Sequence, residues 1–304
     1  MKPARRLDYL PAEESFLDPV RLDAGDPGAA RAVVIPFGLE ASVSYGGGTA
    51  AGPAAILKAS QQLELYDDEL GCEAYLHYGV AALRAPTIAT PVEAALDQLA
   101  GLVETVLEAG KFPFVLGGEH SLTAGAIRPY AARHPDLVVL QLDAHADLRD
   151  GYLGERYSHA AAMRRVLDLP GVSLVSAGIR AISQTEVKFY EANRHRIAIH
   201  WARDRARWDI DAMVAPLKGH PVYVTFDIDA LDASVMPATG TPTPGGLSYD
   251  QALAILRAAC RTGKVVGADL VEFAPITGLH ACDYTAAALA YKLLSYALSE
   301  RPRS

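Results

Sequence analysis

Hydrophobic positions fall in short unbroken runs, separated by stretches whose apolar residues recur at helical spacing. The runs "AVVIPF" (32–37), "FPFVLGG" (112–118), "LVVLQLDA" (137–144), "VSLVSAGI" (172–179), "IAIHWA" (197–202), "VYVTFDID" (222–229) and "VVGADLVEF" (265–273) are short and rich in β-branched residues, and they predict strands. Helices are predicted from near Pro53, where proline suits a first turn, from a cap near Ser121, from near Ser248, and over roughly Asp283 to Ser299. Strands that are apolar on both faces need cover on both, and alternation with helices supplies it. The expected class is α/β: a single-domain, three-layer α/β/α unit around a mostly parallel sheet. Residues 1–30 are polar and rich in Pro, Gly and Asp, and read as an irregular lead-in; residues 31–304 read as one domain without linker, repeat or low-complexity segment. In such folds ligands gather beyond the carboxyl ends of the strands.

Composition adds limits. Half of the 304 residues are hydrophobic, enough for one large core. A net charge of −8 argues against nucleic acid or an anionic membrane as partner; it serves solubility, and secondarily the attraction of a cationic substrate. Cys72, Cys260 and Cys282 are widely spaced and form no CxxC clip, against a disulfide framework or a thiolate zinc site. The N-terminal segment lacks the apolar stretch of a signal peptide. No run approaches a membrane span, and the longest candidate, "AAALAYKLLSYAL", carries Lys292. A cytoplasmic protein is expected.

Four predicted strand ends carry ionisable groups. "VLGGEHS" ends in Glu119 and His120, and "LQLDAHADL" sets Asp143, His145 and Asp147 at every second position, able to share one face of an extended chain. "VTFDIDALD" supplies Asp227 and Asp229, and "ADLVEF" places Glu272 inside an apolar strand. Each cluster alone has an ordinary explanation as a cap, a turn or a hydrogen-bonded histidine. Gathered on one rim, the acids repel and lose solvation unless positive charge joins them. Carboxylate with imidazole and no thiolate suits Mn²⁺, with Fe, Co, Ni or Zn less favoured. Four carboxylates exceed the needs of one divalent ion, so two ions sharing carboxylates are expected.

These motifs resemble those of the ureohydrolases, the arginase and agmatinase family. "GGEHS", "DAHADL", "SHAAAMRR", "FDIDALDASVMPATGTPTPGGL" and "DLVEFAP" occur in family order, and the resemblance runs from about Val33 to the C-terminus. "VSYGGGTAAGPAAILKASQQLELYDDELG" and "YSHAAAMRR" look more like agmatinases than arginases. The resemblance implies an arginase-like fold and two Mn²⁺ per chain. His120, Asp143, Asp147 and Asp227 would hold one ion and Asp143, His145, Asp227 and Asp229 the other, with Asp143 and Asp227 bridging. It implies hydrolysis of agmatine to putrescine and urea in polyamine biosynthesis, through attack of a metal-bridging hydroxide on the guanidinium carbon. Glu272 would receive the guanidinium, His159 would relay protons or position the substrate, and Thr241 would add a polar contact. Asp147 or His159 would protonate the departing amine. Homotrimers or homohexamers are expected on the same ground.

Competing readings stay open at this point. Glu272 has an alternative as a buried acid paired with Arg180, and His159 as a capping or packing residue. Asp232 and Asp269 read as structural, Glu119 as pointing away from the metals, and His77, His134, His195, His200, His220 and His280 as ordinary histidines. In "LRDGYLGERYS" (148–158), Asp150 and Glu155 would meet a distal ammonium, Arg149 and Arg156 a carboxylate such as that of guanidinobutyrate, or all four are solvated. Ala160 stands where many family members have glycine, and Ala233 where "ALDPS" is usual. Agmatine is the first substrate expected, aminopropylagmatine or guanidinobutyrate next, then arginine. A one-zinc deacetylase of related fold is the rival class, but it would not need His120, Asp147 and Asp229. A nicotinamide-dependent dehydrogenase fits poorly, because "GGGTAAG" is not GxGxxG directly after a strand.

Overall fold

The computed structural model describes residues 7–299; the first six residues of the lead-in and residues 300–304 at the end of the domain lie outside the described residues. Eight strands form one sheet: β1 (Ala32–Phe37), β2 (Val80–Ala82), β3 (Phe112–Gly117), β4 (Val138–Leu142), β5 (Ser173–Ile179), β6 (Ile197–Trp201), β7 (Pro221–Asp227) and β8 (Lys264–Val271). Their order is β2-β1-β3-β8-β7-β4-β5-β6, and every neighbouring pair is parallel.

Alternation along the strands divides the core in two. In β1, Ala32 and Val34 pack with one helical layer while Val33, Ile35 and Phe37 pack with the other. The first layer contains the helices Gly52–Ser60, Tyr249–Thr262 and His280–Leu298; the second contains Val92–Glu108, Ala162–Leu167 and Gln184–Ala192. Ser248 caps its helix reciprocally with Gln251, as a capping box does. The 17-residue helix Val92–Glu108, absent from the elements predicted above, buries Val92, Ala95, Leu96, Leu99, Val103 and Val106, a stripe at helical spacing.

Some expected boundaries move. The last helix begins at His280 rather than near Asp283. Ser121 does not cap a helix: it lies inside a 3-10 turn, His120–Leu122, and gives its hydroxyl to Glu119. The described part of the lead-in, residues 7–30, has little regular structure, yet Phe16 and Leu17 are fully buried, Ser15 Oγ accepts the Ala82 N–H, and Arg21 bonds the Val80 carbonyl. This segment covers edge strand β2, whose free ladder groups would otherwise be left for another chain. Among the described residues no helix is long and apolar enough to cross a membrane.

The four central strands run β3-β8-β7-β4, and from the neighbours β7 and β4 the chain leaves in opposite directions along the sheet, to β8 and to β5. The carboxyl ends of these four central strands border the crevice where such sheets bind ligands.

Candidate metal centre and substrate cavity

Each central strand delivers acids or an imidazole to this crevice. After β3, Gly118 lets the 38–44 loop cross closely: a Cβ there would lie 2.0 Å from the Leu39 carbonyl oxygen. His120 follows. Asp143 comes directly after β4. Asp227 ends β7, and its Oδ1 accepts the N–H of Asp229, 2.9 Å away in the turn Ile228–Ala230. Two expectations fail here for a common reason. Asp147 does not share an extended face with Asp143, and Glu272 is not inside β8 but one residue past it. Both have left-handed backbones, with φ of 53° and 62°. Such strain costs about 1–3 kcal/mol per residue and persists where surroundings enforce it. Here the Glu272 N–H donates to the Gly118 carbonyl at 2.8 Å, and the Asp147 carbonyl accepts the Arg164 N–H at 2.9 Å.

The turns bring the predicted ligand residues together. Side-chain atoms of His120, Asp143 and Asp147 lie within 4.8 Å of one another, as do those of Asp143, His145 and Asp229, so Asp143 belongs to both groups. Asp227 Oδ2 lies 3.3 Å from His120 Nδ1. His145 Nδ1 lies 2.9 Å from Asp229 Oδ2. The His120 ring is oriented by Thr225, whose hydroxyl is 2.9 Å from Nε2. That turns Nδ1 toward Asp143, Asp147 and Asp227 at 3.1, 3.0 and 3.3 Å, yet this buried nitrogen makes no hydrogen bond. A ring nitrogen aimed into three carboxylates without bonding any of them is what a metal ligand looks like.

Electrostatics agree. Burial, reinforced by the charges of Asp147 and Asp229, pushes Asp143 up to about 7. Burial, then Asp229 and Asp143, raises Asp227 well above the carboxylate range. Burial disfavours charge on His145, but Asp229, Asp143 and Asp147 outweigh it and raise the imidazole to about 10. Burial likewise opposes charge on Asp229, and the neighbouring His145 more than offsets it, holding that acid near about 2. Four buried carboxylates around two imidazoles are short of positive charge, and the donor set suits hard divalent cations.

Above the cluster lies a cavity of about 430 Å³. Glu272 lines it, with one oxygen fixed by the His120 N–H at 2.6 Å; burial, with Glu119 and Asp229 nearby, raises this acid to about 8 despite that bond. His159 and Thr241 also line it, the latter 3.4 Å from Asp229 Oδ2. Arg180 does not pair with Glu272. Its guanidinium donates to the carbonyls of Thr243, Asp229 and Gly178, bracing the 241–247 loop. Asp232 braces the same loop from outside, accepting from Gly245, Gly246 and Ser234. Buried Asp269 accepts the Thr123 and Tyr223 hydroxyls.

Of the four charges in the 148–158 loop only Arg149 reaches the cavity; Asp150 is held by Arg165, Arg156 lies beside Asp168, and Glu155 accepts the Tyr157 N–H outside it. Asp150 and Glu155 are therefore not placed to meet a distal ammonium. Sequence reasoning missed Glu186, which lines the outer cavity, accepts the N–H groups of Leu148 and Ser183, and has Arg149 at 3.7 Å. It also missed Ser42, which joins Glu119 to His159. Ser42 stands in no motif and comes from a loop distant in sequence from the strand ends it serves; Glu186 closes a capping box with Ser183 at the start of the helix Gln184–Ala192, a local signal that accounts for the residue without the cavity.

A model of the arginase family matches residues 30–298. The N(1)-aminopropylagmatine ureohydrolase of Synechocystis is 38% identical over 278 residues, covering 88% of this chain and 89% of its own. The agmatinase of Bacillus subtilis is 34% identical over 255 residues, covering 81% and 84%. The crystal structure of agmatine ureohydrolase from Thermoplasma volcanium superposes with a TM-score of 0.81 at 29% identity, covering 96% of this chain and 95% of that one. With its parallel sheet, its acid and imidazole cluster at the strand ends and these matches along nearly its whole described length, the chain belongs to the arginase family and is a ureohydrolase.

Proposed function

We propose that this ureohydrolase cleaves the guanidinium group of agmatine to putrescine and urea at a centre of two manganese ions. The observation that carries the reading is Asp143, common to two ligand groups, with the Glu272 carboxylate lining the cavity beside their other members His120, His145, Asp147 and Asp229. Two Mn²⁺, one held by His120, Asp143, Asp147 and Asp227 and one by Asp143, His145, Asp227 and Asp229, would acidify a water and so supply a nucleophile at neutral pH. Everything else falls to the chain's side chains. Glu272, fixed by the His120 N–H and its left-handed backbone, accepts N–H groups of the planar guanidinium and sets its orientation. A cation bound there offsets the burial that raises the Glu272 pKa. Thr241 adds a polar contact beside Asp229. When the bond from the central carbon to the alkyl nitrogen breaks, the amine must leave protonated, and His159 or Asp147 delivers that proton.

The test is urea release by manganese-loaded protein on agmatine, aminopropylagmatine, guanidinobutyrate and arginine in parallel. Agmatine is expected to turn over fastest, with activity lost in Asp143→Ala and Glu272→Ala. Urea from none of the four, with two metals bound per chain, would refute the reading. Aminopropylagmatine is the second candidate. The cavity extends to Tyr152, Ile182 and Glu186, past the reach of the guanidinium site, and Glu186 there could face a longer cationic tail. Relatives named for that substrate are 38–39% identical to this chain. Assembly as trimers or hexamers and a cytoplasmic site of action rest on the sequence resemblance.

A further inference from the structure

We infer that Glu119 and Ser42 are positioning residues that hold His159 in the tautomer with its proton on Nδ1. Nε2 is then the nitrogen that takes up and returns a proton at the cavity. The inference rests on the reading of His159 as a proton carrier given above.

Glu119 is fully buried beside β3 and has four donors. Its Oε2 accepts the N–H groups of Ala41 and Ser42, both at 2.6 Å, and its Oε1 accepts the hydroxyls of Ser121 at 2.5 Å and Ser42 at 2.8 Å. A carboxylate so surrounded is an acceptor only. The single hydroxyl proton of Ser42 is therefore committed to Glu119. What Ser42 Oγ offers in every other direction is a lone pair. One takes the backbone N–H of His159 at 2.9 Å, and Nδ1 of the same ring stands 3.2 Å away. Two lone pairs facing each other repel, whereas Nδ1–H facing oxygen is a hydrogen bond. The tautomer of a histidine follows from the bond its other nitrogen makes, so Nδ1 carries the proton. Ser158 Oγ is the longer neighbour of Nδ1, at 3.4 Å.

Nε2 is left with Ser44 Oγ at 3.4 Å, on the lining of the cavity. In this tautomer neutral His159 presents a lone pair to the cavity and can accept a proton there, then donate it as imidazolium. In the other tautomer the cavity-facing nitrogen is already protonated and cannot accept. Ser42 and His159 are 117 residues apart, and Glu119 ties their loops together from the end of β3.

The test uses the full chain labelled with [¹⁵N]histidine and loaded with zinc, a diamagnetic stand-in for manganese. Nitrogen–proton correlation spectra report which ring nitrogen is protonated, and the His159 signals are assigned by their loss in His159→Gln. The wild type is expected to show Nδ1 protonated and Nε2 bare. Ser42→Ala is expected to lose that preference and Ser42→Thr, which keeps the hydroxyl, to restore it. In urea release by the manganese enzyme, Ser42→Ala should lower kcat by up to about 100-fold, the low end of what a positioned acid–base group contributes, with little change in KM, and Ser42→Thr should recover it. A wild-type His159 protonated on Nε2, an unchanged tautomer in Ser42→Ala, or a shifted tautomer with unaltered kcat would each overturn the inference. If no guanidine yields urea, the proposed function fails separately, and the wild-type spectrum alone decides the tautomer.

Discussion

Replacing Asp143 by asparagine should change stability in opposite directions with and without metal. In the metal-free protein Asp143 is an acid buried among other acids, and its pKa rises from 3.8 to about 7 through burial and the charges of Asp147 and Asp229. The native state keeps a proton that the unfolded chain has released, so metal-free stability falls as pH rises from about 4 to about 7 and stays low above that. The rise corresponds to roughly 4 kcal/mol of charge burial at about pH 8, which Asp143→Asn removes. The amide brings a cost. With its oxygen kept toward the His145 N–H, at 2.5 Å, its NH₂ faces the Gln141 amide nitrogen, 2.8 Å from the present carboxylate oxygen. Two opposed donors cost about 1–3 kcal/mol. A net gain of about 1–3 kcal/mol remains, a rise of a few degrees in Tm for a chain of this size. With manganese the order reverses. Asp143 belongs to both ligand groups, so the variant forfeits the stabilisation that binding confers, about 2.7 kcal/mol at a hundredfold excess over Kd for each site. Calorimetry of both proteins near pH 8, in chelator and in manganese, reads the two signs. A variant less stable than wild type in chelator, or one that gains as much from manganese, would refute the reasoning.

Other outcomes follow from the same geometry. Stripping the protein with a chelator should abolish urea release and lower Tm, with both restored by manganese at two ions per chain by elemental analysis; one ion per chain at full activity would contradict the shared-ligand arrangement. Glu272→Gln should lower kcat/KM about 10- to 100-fold, the worth of a charge-assisted hydrogen bond, while two metals stay bound; loss of metal instead would move Glu272 into the ligand set. Asp232→Ala removes the acceptor for Gly245, Gly246 and Ser234 and should cost about 1–3 kcal/mol in denaturant unfolding. Those bonds, the Ser234 hydroxyl first, hold the Asp232 pKa below its ordinary value. Its contribution is therefore present above that ordinary value and fades as pH falls toward the lowered one.

Much of this was legible along the chain because local chemistry demanded it. Runs such as "LVVLQL" and "VYVTF" are apolar on both faces, and a strand of that kind has nowhere to go but the middle of a three-layer fold. His120, Asp143, His145, Asp147, Asp227 and Asp229 stand at the ends of such runs, where one acid serves as a cap or turn but four together require positive charge. How they meet is set by backbone conformation. Alternation in an extended chain places Asp147 on the face of Asp143, and the apolar run places Glu272 inside a strand; left-handed turns carry both instead. Backbone strain depends on what surrounds a residue and leaves no mark on its identity.

The sequence by itself determined the class of fold, the family and the residues that crowd one rim, since periodicity and charge are properties of neighbours along the chain. Tertiary structure alone decided that Arg180 braces carbonyls rather than pairing with Glu272, and that Asp150 and Glu155 stay outside the cavity while Glu186 lines it. It alone brought Ser42 against His159. A hydrogen bond is directional and a few ångströms long, so its partner is set by which loops cross in space, and separations of 117 residues carry no periodic signal.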